Sequence, residues 1–94
     1  MVRIDTRRIV YRSQMDEDSF FRWAKRIRCV TSVDGGYLHI RSKTVSDADL
    51  RDLIAILYRY KAPMRQLRQF ATSTNKHWFK RKTKFWYRRV FGDA

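Results

Sequence analysis

The stretch VSDADLRDLIAILYRYKAP, residues 45–63, places the strongest constraint on the fold. Ser46 is a favoured helix N-cap, and Asp49 stands three residues later, at the second position of a capping box. Pro63 cannot continue a helix. Between these signals, four apolar residues recur at helical spacing: Leu50, Leu53, Ile54 and Leu57. The sequence therefore predicts an amphipathic helix within residues 45–63.

The segment before this helix, CVTSVDGGYLHIR (residues 29–41), predicts a β-hairpin. Two runs rich in β-branched and aromatic residues flank Gly35 and Gly36. Glycine supplies the positive φ that a tight hairpin turn requires. Because side chains alternate along a strand, Leu38 and Ile40 share one face of the predicted hairpin.

The N-terminal part of the chain predicts a strand and a second amphipathic helix. Residues 2–12 carry β-branched and aromatic positions and predict one strand or two short ones. DEDSFFRWAKRIR, residues 16–28, predicts the helix, with acidic residues in its first turn and basic residues in its last. Its apolar residues fall on one face: Phe20, Trp23, Ala24 and Ile27.

Two further helices are predicted after Pro63, over residues 64–71 and 78–91. At about 100° per residue, the last helix collects its apolar side chains in one sector. These residues are Trp78, Phe79, Phe85, Trp86 and Val90. Lys82 and Arg89 fall in the same sector, where long stems can lie along the core. The opposite face is basic and consists of Lys80, Arg81, Lys84 and Arg88.

Together these elements predict an α+β fold. A small antiparallel sheet, formed by the hairpin 29–41 and an N-terminal strand, packs against three to four helices in the order β-α-β-β-α-α-α. Residues 1–94 are expected to form a single compact basic domain. The core is thin enough that a homodimer stays open as an alternative to the monomer.

Cysteine usage and hydropathy indicate the compartment. The single cysteine, Cys29, excludes an internal disulfide. No apolar run approaches the roughly 20 residues of a transmembrane helix, and the first residues lack the apolar region of a secretory signal. We therefore expect a reduced, cytoplasmic protein without a transmembrane segment.

The formal net charge of +13 is unevenly distributed. Residues 1–64 hold 13 Lys and Arg against 8 acidic residues, and residues 65–94 hold 9 against 1, so the last third carries 9 − 1 = +8. Such a field attracts nucleic-acid phosphates, anionic lipid or an acidic protein. A purely structural helix face normally interleaves both signs, and this one does not. The imbalance favours a binding surface over a merely solvated face.

The sequence thus predicts a non-catalytic protein that contacts phosphates of RNA or DNA through the C-terminal helix face. The candidate residues are Arg65, Arg68, Lys76, Lys80, Arg81, Lys84, Tyr87 and Arg88. Tyr87 is included because it points between the two faces and is the aromatic left for base stacking. An adaptor or inhibitor that docks an acidic protein, and attachment to an anionic membrane surface, stay open as alternatives.

Other groups of polar residues have simpler explanations. The acidic residues at the start of the helix in 45–63 complement its dipole and cap it, which favours structure over acid–base chemistry. Cys29, His39 and His77 would form a zinc site only if the fold brought them together. No cofactor, metal or catalytic residue is predicted.

Overall fold

The computed structural model describes residues 2–92 and contains a three-stranded antiparallel sheet with helices on one face. The elements, in chain order, are β1 (Val2–Asp5), α1 (Gln14–Arg26), β2 (Val30–Asp34), β3 (Tyr37–Ile40), α2 (Asp47–Tyr60), a 3-10 helix (Arg65–Phe70), α3 (Lys76–Phe79) and α4 (Tyr87–Phe91). The predicted α+β class is confirmed, and so is the predicted order as far as α2.

The sheet is built around β3, which pairs with both β1 and β2. Ile4 lies opposite Leu38, and these two side chains and Ile40 are fully buried under the helices. Gly35 and Gly36 have φ angles of 59° and 84°, the positive values that the tight turn between β2 and β3 requires. The predicted hairpin and its buried face are therefore confirmed.

Side-chain caps fix the starts of α1 and α2. The Ser13 hydroxyl accepts a hydrogen bond from the Asp16 N–H at 3.1 Å, and Ser46 accepts one from the Asp49 N–H at 3.1 Å. α2 ends where Lys61 adopts a left-handed conformation with φ 60°. Both predicted helices are confirmed, although α1 begins and ends two residues earlier than the sequence indicated.

The predicted helix over residues 78–91 is wrong. α3 ends at Phe79, and residues 80–86 form successive turns before α4 begins. These turns include four cations, which would repel one another at helical spacing. The Trp86 indole N–H also donates to the Phe79 carbonyl at 2.8 Å, an oxygen that in a continuous helix would accept from the Thr83 N–H. The two effects together favour the broken form.

Aromatic packing still holds the C-terminal segment on the core. Trp78, Phe79, Trp86 and Val90 are buried, as predicted. Phe85 was predicted to be buried with them and is 58% exposed instead, because the turns replace the helical periodicity. The predicted basic helix face therefore does not exist on one helix: Lys80, Arg81 and Lys84 lie in the turns after α3, and Arg88 lies on α4. The predicted helix 64–71 is also corrected, to the 3-10 helix.

Replacing Trp86 by Phe should lower the free energy of unfolding by about 1–3 kcal/mol more than replacing Trp78 by Phe. Both changes replace a buried indole by a smaller ring, so the two variants lose a similar side-chain volume. The difference between them therefore does not come from lost volume. Trp86→Phe also removes the donor to the Phe79 carbonyl, whereas the Trp78 indole N–H has no protein acceptor among residues 2–92. Urea unfolding of the two variants measures the difference. Equal losses would contradict a special role for the Trp86 hydrogen bond.

Candidate functional site

The cations of the C-terminal third have no carboxylate partner within residues 2–92. The ion pairs in that range are Arg7–Asp5 at 2.8 Å and His39–Asp34 at 2.9 Å, and both belong to the sheet and its turns. Residues 65–92 contain nine Lys and Arg and no acidic residue. Within the described residues, no direct ion pair therefore neutralises these cations.

Three of these cations line one shallow depression of about 440 Å³, which we call the basic depression. Its lining residues are Lys82, Lys84, Phe85, Tyr87, Arg88 and Gly92. The turns between α3 and α4 supply the first three, and α4 with its C-cap supplies the others. The depression therefore exists because the chain breaks between the two helices.

Backbone hydrogen bonds give the turns a defined shape. The Lys84 N–H donates to the Arg81 carbonyl at 3.1 Å, and the Tyr87 N–H donates to the Lys84 carbonyl at 3.1 Å. The Lys84 ammonium lies 5.7 Å from the centre of the Trp86 ring, within the range of a cation–π contact. Lys84 is thus held beside the core, with its charge at the surface.

Arg65 and Arg68 of the 3-10 helix have a structural task. Arg65 donates to the Gly92 carbonyl at 2.8 Å, and Arg68 donates to the carbonyls of Gly92 and Val90. These oxygens belong to the last turn and C-cap of α4, where cations are favoured. Gly92 also lines the basic depression, so both arginine side chains bond to one of its lining residues.

Lys76 and Lys80 line a second depression together with residues 71–73. The Lys80 ammonium lies 5.5 Å from the centre of the Phe91 ring, so it also reaches α4. Arg81 is exposed in the turns. The structure thus places all eight predicted site residues on α3, α4, the turns or the 3-10 helix. It brings Lys84, Tyr87 and Arg88 into one depression.

Two exposed aromatic side chains beside the basic depression were missed by the sequence analysis. Phe85 lines the depression, and its ring centre lies 4.7 Å from that of Tyr58 in α2, with 78° between the planes. Tyr58 is 39% exposed, and the Arg89 guanidinium lies 4.9 Å from its ring centre. Tyr87, the predicted stacking residue, is half-buried and packs against Phe91. The one signal of this pair in the sequence is that Tyr58 falls outside the apolar stripe of α2, which indicates an exposed aromatic side chain.

The other candidate groups have structural environments. Cys29 is buried, and burial raises the pKa of its thiol to about 11. His39 contacts Asp34 across the hairpin at 2.9 Å. Within residues 2–92 no three metal-ligating side chains come together. Asp49 serves the cap of α2 through its N–H.

Comparison with known proteins found no family model, no curated protein and no solved structure similar to this chain. In the described part of the chain, no helix combines the length and hydropathy needed to cross a bilayer.

The Cys29 thiol should react slowly with a disulfide reagent in the folded protein at pH 8, and at once in denaturant. A thiol with a pKa of about 11 is almost wholly protonated at that pH, and the thiolate is the reactive form. In the unfolded chain the pKa returns toward its ordinary value near 9, and the burial is lost. The release of the coloured thiolate product measures both rates. A fast reaction with the folded protein would contradict the buried environment of Cys29.

Proposed function

We propose that the protein binds nucleic acid without catalysis, with the phosphates held at the basic depression and the cations around it. The supporting observation is the set of Lys82, Lys84 and Arg88 around one depression, with no carboxylate partner among the described residues. Lys and Arg side chains that neutralise phosphates release condensed counterions, which is the main source of sequence-independent affinity.

The arrangement of the cations suits a chain of phosphates better than a single small anion. Three groups of cations are linked to α4: those of the basic depression, the Arg65 and Arg68 side chains that bond to the Gly92 carbonyl, and Lys80 of the second depression, which lies over the Phe91 ring. The cations are therefore spread over more of the surface than one depression. Such a surface can contact several phosphates of one strand. Nothing in it resembles a site that reads base edges, so the expected sequence preference is small.

Replacing Lys82, Lys84 and Arg88 together by Gln should weaken binding to mixed-sequence oligonucleotides. It should also flatten the plot of log affinity against log salt by about 2–3, because each phosphate contact contributes roughly 0.7–0.9 to that slope. Arg65 and Arg68 are left intact, since they cap α4. Fluorescence anisotropy at several salt concentrations measures the slopes, and a thermal melt checks that the variant folds.

The matched control changes Arg22, Arg28 and Lys43 to Gln. These side chains are exposed and lie in α1 or in the segments around the hairpin. Replacing them removes the same total charge as the change at Lys82, Lys84 and Arg88. The control should keep most of the affinity and its salt slope. Equal weakening in the two triple variants would show that only net charge matters, and the proposed site would be wrong.

A further inference from the structure

Phe85 is an exposed phenylalanine held in one place. The residue is 58% exposed, yet its ring packs nearly perpendicular to two other rings. The ring centres lie 4.7 Å apart for Tyr58 and 5.0 Å apart for Trp86. Trp86 is itself buried and hydrogen-bonded to the core. The ring therefore presents apolar surface to water from a supported position, with little side-chain entropy left to lose on binding.

The neighbours of Phe85 are positively charged. Lys82, Lys84 and Arg88 line the same depression, and Arg89 lies over the adjoining Tyr58 ring. An apolar protein partner would have to remove these charges from water without compensation. A ligand that fits must carry anionic groups close to a flat apolar group.

A nucleotide has that combination. Its base stacks on aromatic rings, and one sugar joins the base to a phosphate. A base placed on Phe85 brings its phosphate into the depression that Phe85 itself lines. In a duplex the bases are already stacked and paired, so only a single strand or an unpaired nucleotide can offer a base to the ring.

We infer that Phe85, supported by Tyr58, is a stacking platform for an unpaired base, and that the ligand of the basic depression is single-stranded nucleic acid. This inference rests on the proposed function and narrows its ligand class. Phe85 selects the single strand, and the surrounding cations supply the affinity common to all nucleic acids.

The test compares Phe85→Leu with Phe85→Trp. The first keeps apolar bulk without a ring face, and the second keeps the ring. Fluorescence anisotropy measures the binding of three probes: a short single strand, a duplex of equal length and a single strand whose backbone carries no bases. Phe85→Leu should weaken binding to the normal single strand between about fivefold and a hundredfold. It should leave duplex and abasic binding unchanged.

Phe85→Trp should keep the affinity, and stacking should quench the fluorescence of the added indole. Met15→Ala in α1 removes an apolar side chain that is 79% exposed and should change nothing. Because Phe85 is more than half exposed, its variants should stay folded, and Phe85→Leu should lower the melting temperature only slightly through the lost ring contacts.

The outcomes separate the two proposals. If the wild-type protein binds none of the three nucleic acids at low salt, the proposed function fails and this inference fails with it. If it binds single strand, duplex and abasic strand equally, and Phe85→Leu changes nothing, the platform is wrong while phosphate binding stands. If polyglutamate competes as well as the single strand, and Phe85→Leu weakens both equally, the surface serves an acidic protein and the inference is overturned.

Discussion

The hydrogen bond from the Trp86 indole to the Phe79 carbonyl is the contact on which the C-terminal third depends. It joins the end of α3 to the start of α4 and closes the turns between them. A buried indole N–H needs an acceptor, and the last carbonyls of a helix need donors, so one bond satisfies both groups. The turns that carry Lys82 and Lys84 are thereby attached to the core at both ends. A surface rich in like charges can be ordered only if something apolar beneath it is well packed.

Local signals determined which parts of the fold could be predicted. The cap at Ser46, the apolar stripe of α2 and the paired glycines of the hairpin act within a few residues, and each led to the correct element. The C-terminal segment is different because its helical periodicity competes with a tertiary hydrogen bond and with repulsion among neighbouring cations. The period of 3.6 residues does not show the hydrogen bond, and the unbalanced cations were interpreted as a binding surface and not as a reason for the helix to break. The predicted continuous helix failed for that reason.

The same distinction applies to the candidate site. The positive charge of the site was predictable, because an excess of cations over acids depends on composition. It is the same whether residues 78–91 form one helix or two. The aromatic contribution was not predictable from the sequence. Phe85 would be buried in the predicted continuous helix and is exposed only in the observed turns, and Tyr58 contacts it from a distant part of the chain. Arg65 and Arg68 were assigned to binding by their charge alone, and their hydrogen bonds to the end of α4 add a structural role.

The interleaving of aromatic and basic residues near the C-terminus has one physical explanation. Lys80 lies over Phe91, Lys84 over Trp86, and Arg89 over Tyr58. A ring attracts a cation through its quadrupole, but it has no net charge and does not neutralise it. A carboxylate would hold the same side chain and cancel its field. By using rings in place of acids, the protein holds these cations against aromatic side chains without cancelling their charge. Charge left uncancelled in this way is the property that the proposed phosphate-binding surface needs.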